Sequence, residues 1–240
     1  MNILLFLPEN IIDTHNIKII GRQYTHLIRV LKVSIGSQVR VGLLNGHIGM
    51  GTVTHIESDA VYLSTELTTP PPPNLPLSLV IALPRPQMIK RILQTVATMG
   101  VDQVHFVQTQ KVEKNYWQSP TVQDDAIFEQ LHLGLEQGIS TLCPQVFKHT
   151  KWRTFVDESL PVLAKHHDHN FVAHLSQTQR CPSFNHISDT KTLMIIGPEG
   201  GFTPDEISTL NKKHIQTVQL GSRVLKVETA VTALITKLYL

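Results

Sequence analysis

The chain has 240 residues, a formal net charge of +2, and 41% hydrophobic against 17% charged residues. Apolar content so ordinary and net charge so small exclude a disordered chain, and the length suits one large domain or two modest ones. No apolar run approaches the roughly 18 residues of a membrane helix, and Cys143 and Cys181 lie far apart with no Cys-x-x-Cys pair, which argues against a disulfide framework and for a reducing compartment.

The opening Met-Asn-Ile-Leu-Leu-Phe-Leu-Pro-Glu has no basic leader and too short an apolar run for a signal peptide, so a cytoplasmic protein is expected. Net charge conceals an asymmetry. Between Thr14 and Ile56 there is no Asp or Glu, while Lys18, Arg22, Arg29, Lys32 and Arg40 all fall inside. Such a stretch carries a positive potential suited to a polyphosphate partner, although a solvated face of a small domain would look the same.

Within that region, residues 39–41, 49–55 and 60–65 alternate apolar and polar side chains as half-buried strands do, and Asn45-Gly46 between two of them signals a tight turn. One helix is predicted over 24–31, with Leu27, Val30 and Leu31 facing inward and His26, Arg29 and Lys32 facing outward. The pattern is that of a small β-barrel-like domain with a basic edge. Four consecutive prolines, Pro70 to Pro73, cannot donate backbone hydrogen bonds and favour a stiff extended spacer. This divides the chain into a domain at 1–69, a linker at 70–76 and a second domain at 77–240.

The second domain alternates strands and helices. Residues 77–83 form a continuous apolar strand, and 87–99 place Met88, Ile89, Ile92, Leu93, Val96 and Ala97 at helical spacing before the stop at Gly100. A strand at 101–107 follows, and then a helix opened by Ser119-Pro120 and running to about residue 137. Strands at 171–175, 192–196 and 215–220 and a last helix at 228–238 complete the series, and Thr203 with Glu206 forms a capping box opening another helix. The alternation implies an α/β fold with a parallel sheet covered on both faces.

Two segments carry chemistry. Ile196-Gly197-Pro198-Glu199-Gly200-Gly201-Phe202 runs from a strand end through a glycine-rich loop into a capped helix, where backbone can approach a ligand closely. Leu220-Gly221-Ser222-Arg223-Val224-Leu225-Lys226-Val227-Glu228-Thr229-Ala230 repeats the arrangement. Thr229 either caps the last helix or touches a ligand, and Glu228 near a helix N-terminus is favoured by the dipole in any case. Two such loops at one sheet edge suggest a shared pocket. The histidines at 166, 167 and 169 lack a paired ligand motif elsewhere, so no metal is expected. Tyr116 and Trp117, after Lys111 and Lys114, suit either base stacking or packing at an interface.

These two segments together resemble the signature of RsmE-type methyltransferases, which modify uridine N3 in 16S ribosomal RNA and belong to the trefoil-knotted SPOUT class. The resemblance extends to His26-Leu-Ile-Arg29-Val-Leu-Lys32, to Leu83-Pro-Arg-Pro, to Met99-Gly100-Val101 and to Glu136-Gln137, and so spans nearly the whole chain. It departs at Lys226-Val227, where the family has Arg-Thr, at the run from Thr109 to Lys114, which replaces Ser-Glu-Arg, and after Gln137, where many relatives carry arginines and this chain continues Gly-Ile-Ser-Thr-Leu-Cys-Pro.

The resemblance implies a PUA-like first domain and a knotted SPOUT second domain, an exception to unknotted topology. It implies S-adenosylmethionine as cofactor, held by His174, Leu175, Gly197, Glu199, Gly200, Gly201, Leu220, Gly221, Leu225, Thr229 and Ala230. It also implies a homodimer acting on the small ribosomal subunit, with Arg22, His26, Arg29 and Lys32 as RNA-binding residues. Removing the N3 proton requires a base or a cation that stabilises the resulting anion, and Arg223, Lys226 and Glu228 are the candidates. A non-catalytic ribosome-assembly factor, or a methyltransferase of another RNA such as transfer RNA, are the competing functions.

Overall fold

The structure is a computed structural model describing residues 1–175, 179–184 and 189–239. Two compact units are present. The first comprises Met1–Pro73 with His132–Cys143, and the second Asn74–Leu131 with Pro144–Leu240.

The first unit is built on a five-stranded sheet in the order β1-β3-β4-β5-β2. Its elements are β1 (Leu4–Phe6), β2 (Asn16–Ile20), α1 (Gly21–Arg29), β3 (Gln38–Leu43), β4 (Ile48–Ile56) and β5 (Ala60–Thr69). The pairings are antiparallel except for β1 on β3. Leu4, Phe6, Ile17, Ile19, Leu27, Val41, Val53, Val61 and Leu63 form its core. At the expected turn Asn45 takes φ +57°, and the Gly46 N–H bonds to the Leu43 carbonyl at 2.8 Å.

The predicted helix at 24–31 lies earlier, and this changes which side chains it buries. Leu27 is buried, but Val30 is 64% and Leu31 47% exposed. Both their N–H groups converge on the His26 carbonyl, and the chain leaves the helix at Lys32 with φ +52°. The 3.6-residue period ends at Arg29, so the two residues expected to face inward do not.

The second unit has a six-stranded, all-parallel sheet in the order β11-β9-β10-β6-β7-β8. Its elements are β6 (Leu75–Ala82), α2 (Pro86–Thr98), β7 (Val101–Val107), α3 (Asp124–Gly138, whose final turns count with the first unit), β8 (Gln145–His149), a helical run from α4 (Trp152–Thr154) through a π turn into α5 (Leu160–Lys165), β9 (His169–Ala173), β10 (Thr192–Ile196), α6 (Pro204–Lys212), β11 (Gln216–Val218) and α7 (Val227–Tyr239). The central strands read as unbroken apolar runs because helices cover both faces, and every residue of β10 is buried.

Three boundaries differ from the sequence reading. Leu75 and Pro76, placed in the linker, open β6, and the β6–β7 register slips between Leu75 and Ser78, where Pro76 has no N–H to give. Ser119 caps only a single 3-10 turn, Pro120–Val122; Gln123 is extended, and α3 begins at Asp124. His132–Cys143 joins the first unit, where Glu136 is buried against Arg22 and Gln23 and Thr141 Oγ1 bonds to the Gly46 carbonyl at 2.5 Å.

A polar chain runs through the second core. His105 Nδ1 lies 3.1 Å from His149 Nε2, Gln103 accepts from Ser78, and Ser78 Oγ lies 2.9 Å from His167 Nε2. Burial, with smaller contributions from His149 and His167, holds the His105 imidazole down to about 3, against 6.5 for a free histidine. The folded chain therefore keeps this ring neutral where the unfolded chain would protonate it. The stability so conferred is complete above about pH 6.5 and is lost toward pH 3, at about 1.4 kcal/mol per pH unit. Urea midpoints measured from about pH 7 to pH 5 should fall for the wild type. The His105→Phe variant should show a shallower fall.

Candidate functional site

The carboxyl ends of β9, β10 and β11 lie side by side. Ala173 is in register with both Ile196 and Val218, so the three loops that follow start at one level. The His174 N–H bonds to the Val218 carbonyl at 2.9 Å and the Cys181 N–H to the Gln219 carbonyl at 2.8 Å, which carries the parallel pairing one step beyond the strands. Ligands of open α/β sheets bind at this edge. A cavity of about 350 Å³ opens here, walled by the three loops and by Val227, Ala230 and Leu234 of α7.

Its walls combine apolar side chains with bare backbone at Gly197, Gly200, Gly201 and Gly221. Gly201 has φ +67°, a conformation that strains any residue with a side chain, and its N–H bonds to the Pro198 carbonyl at 2.8 Å. A Cβ placed at Gly201 or Gly221 would meet no atom within 4 Å. The loop is also tied from outside the cavity. The Arg85 N–H donates to Glu199 Oε1 at 3.3 Å and the Lys111 ammonium to the Gly200 carbonyl at 2.6 Å. The expected capping box is present, with the Glu206 N–H on Thr203 Oγ1 and the Thr203 N–H on Glu206 Oε2.

The cavity brings together His174, Leu175, Gly197, Glu199, Gly200, Gly201, Leu220, Gly221, Leu225 and Ala230, with Arg223 at its exposed rim. Thr229, Lys226 and Glu228 are not in the lining. Helical geometry is the reason: Val227, Ala230 and Leu234 share one stripe of α7, and Thr229 and Glu228 are rotated away from it. Thr229 and Lys226 are exposed, and Glu228 is half-buried in the first turn. The sequence reading did not assign nine of the lining residues, among them Phe202, Val218, Val227 and Leu234. The spacing of Leu234 from Ala230 was the available signal.

The four residues expected to hold RNA do not share one environment. Arg22 Nη2 lies 2.8 Å from Glu136 Oε2, whose side chain is 2% exposed. Burial pushes the Glu136 carboxyl up, but hydrogen bonds from His132 and Gln23 and the Arg22 charge outweigh it and hold the group below the usual carboxylate range. The Arg22 charge is therefore committed within the fold. His26 is half-buried, whereas Arg29 and Lys32 are exposed and have no ion pair among the described residues.

A parallel sheet with glycine loops over a small-molecule cavity, in a chain that also carries a small curled sheet, defines a two-unit α/β protein with a ligand site at the carboxyl edge of its parallel sheet. Residues 71–239 match the family model described as an RNA methyltransferase domain, and residues 19–66 match an RNA methyltransferase PUA domain. The ribosomal RNA small subunit methyltransferase E of Treponema pallidum is 28% identical over 97% of this chain and 88% of its own length. The enzyme of that name from Neisseria gonorrhoeae, solved bound to S-adenosyl methionine, superposes with a TM-score of 0.75 at 20% identity, covering 98% of this chain and 95% of that one. A probable rRNA-methyltransferase from Porphyromonas gingivalis superposes with a TM-score of 0.72 at 19% identity, over 97% and 95% of the two chains. The chain belongs to this family of RNA methyltransferases.

The two cavity glycines should respond differently to substitution. Gly201→Val forces a side chain into left-handed backbone and should lower the unfolding free energy by about 1–2 kcal/mol. Gly221→Val meets neither strain nor contact, so its urea midpoint should match the wild type.

Proposed function

We propose that this chain methylates N3 of a specific uridine in 16S ribosomal RNA of the small subunit, with S-adenosylmethionine as methyl donor. The observation that carries the reading is the cavity at the ends of β9, β10 and β11, where the Gly201 and Gly221 backbone stands open to a ligand. Its volume of about 350 Å³ falls in the range of small-ligand sites. The names of the relatives, which carry ribosomal RNA and S-adenosyl methionine, support the assignment.

The backbone of Gly197, Gly201, Leu220 and Gly221 would hold the cofactor, and Leu175, Leu225, Val227 and Leu234 would exclude water from it. When bound, S-adenosylmethionine supplies an electrophilic methyl group. The chain's own task is to orient the base and manage the N3 proton. The ionisable side chains of the lining are His174, Glu199 and Arg223. Arg223, at the rim, stabilises the negative charge that develops on the uracil ring, and Glu199 accepts the proton. This assigns to Glu199 the role the sequence reading gave to Glu228, which is outside the lining. Arg29 and Lys32, exposed at the end of α1 and without an ion pair among the described residues, grip phosphates.

The test is incubation of the protein with labelled cofactor and either small subunits lacking the modification or total transfer RNA, followed by nucleoside mass spectrometry. Label should appear as 3-methyluridine in small-subunit RNA. Label confined to transfer RNA, or cofactor binding with no transfer to any RNA, would overturn the reading. Gly221→Val should abolish cofactor binding. The Arg29→Glu, Lys32→Glu double variant should keep cofactor affinity and lower the slope of log RNA affinity against log salt by about 1.4 to 1.8.

A homodimer belongs to the same proposal. The apolar face of α7, Val231, Leu234, Ile235 and Leu238, is buried within its own chain and does not supply the contact. The support lies at the cavity mouth, where Val224 is 78%, Leu175 44% and Leu225 39% exposed. Light scattering should give about twice 26.9 kDa, and Val224→Glu should shift the protein toward monomer. A wild-type monomer at micromolar concentration that is fully active would sink the idea.

A further inference from the structure

We infer that Lys111 is a positioning residue for the cofactor loop, fixing the Gly200–Gly201 peptide from outside the cavity. The inference rests on the reading of that cavity as the S-adenosylmethionine site. Lys111 is not among the lining residues, yet its ammonium donates to the Gly200 carbonyl at 2.6 Å. A hydrogen bond from a charged donor is roughly twice as strong as a neutral one.

The geometry explains why this peptide needs a brace. The Gly200 carbonyl and the Gly201 N–H belong to one planar peptide unit. A glycine on each side of it permits the unit to rotate with little steric resistance. Lys111 holds its carbonyl and the Pro198 carbonyl holds its N–H at 2.8 Å, so the plane is fixed at both edges. The rest of the loop has other anchors. Glu199 is tied to the Arg85 N–H, and Glu206, which caps Thr203, accepts from the Gln110 N–H at 2.8 Å. Of the side-chain ties, Lys111 is the one that holds the flippable peptide itself.

Gly200 also differs in kind from its neighbour. A Cβ at Gly201 would enter open space, whereas one at Gly200 would lie 3.1 Å from Lys111 Cδ. Position 200 is bare because the lysine stem lies across it, and position 201 because its backbone is left-handed and faces the cavity.

Calorimetry with S-adenosylmethionine tests this on the full chain. Lys111→Met keeps the stem and removes the ammonium; it should weaken binding about tenfold at an unchanged unfolding midpoint. Lys111→Arg should restore affinity to within about threefold of wild type, which a loss of packing alone would not explain. Gly200→Ala should weaken binding in the wild-type background and have no further effect in Lys111→Ala, where the obstructing stem is gone. If the wild type binds and Lys111→Met binds within about twofold of it, Lys111 has no positioning role and the cavity reading stands. If the wild type itself does not bind S-adenosylmethionine, the cavity reading fails and takes this inference with it.

Discussion

The site depends on the parallel registration of β9, β10 and β11. β10 is hydrogen-bonded on both edges, to β6 and to β9, and is buried along its whole length. Parallel pairing sends the carboxyl ends to one edge, and the register aligns Ile196 with Ala173 and Ala173 with Val218. A slip of one residue in β10 would move the glycine loop by about 3.3 Å and turn each side chain to the opposite face. The burial that stabilises the sheet is thus the same constraint that sets the loops level around one cavity.

The two glycine loops are built to different degrees of rigidity. The loop at 197–203 is tied by Arg85, Lys111 and the Thr203–Glu206 box, and the Phe202 ring closes on it within 3.0 Å of where a Gly197 Cβ would sit. Residues 221–226 are all exposed, and their firm attachments are the β11 end and the first turn of α7, where the Ala230 N–H bonds to the Lys226 carbonyl. Segments with few buried contacts open most readily. One wall is therefore braced by side chains from other elements, and the other, which carries Arg223, is held chiefly at its two ends.

Much of the second unit was legible because its central strands and helices carry strong patterns. β6, α2, β7 and β10 are long apolar or amphipathic runs with clear stops, such as Gly100 at φ +75°. β8 was not read, because an edge strand of mostly exposed residues has no hydrophobic face to reveal it. The helical run at 152–165 passes through a π turn and contains Pro161, both of which break the period. The return of His132–Cys143 to the first unit was also invisible, since it depends on contacts such as Arg22 to Glu136 across 114 residues. Paired motifs located most of the cavity lining. They failed on α7, where a run of consecutive letters was carried over although a helix shows a pocket only one stripe of its residues.

Charge shows the same difference between a linear count and a folded surface. The acid-free stretch supplies five cations to the sequence, but the fold provides partners for some of them. Arg22 is matched by a buried carboxylate from a distant segment, and Lys18 lies 5.5 Å from the Tyr62 ring centroid. Arg29 and Lys32 remain exposed, without an ion pair among the described residues, close to the end of α1, where its macrodipole favours positive charge without neutralising it. A phosphate approaching this unit meets the cations that lack an anion rather than the formal total. The exposed cations of the stretch are then Arg29 and Lys32 at the end of α1 and Arg40 on β3, and Arg22 could be set apart from them only after Glu136 had been found beside it.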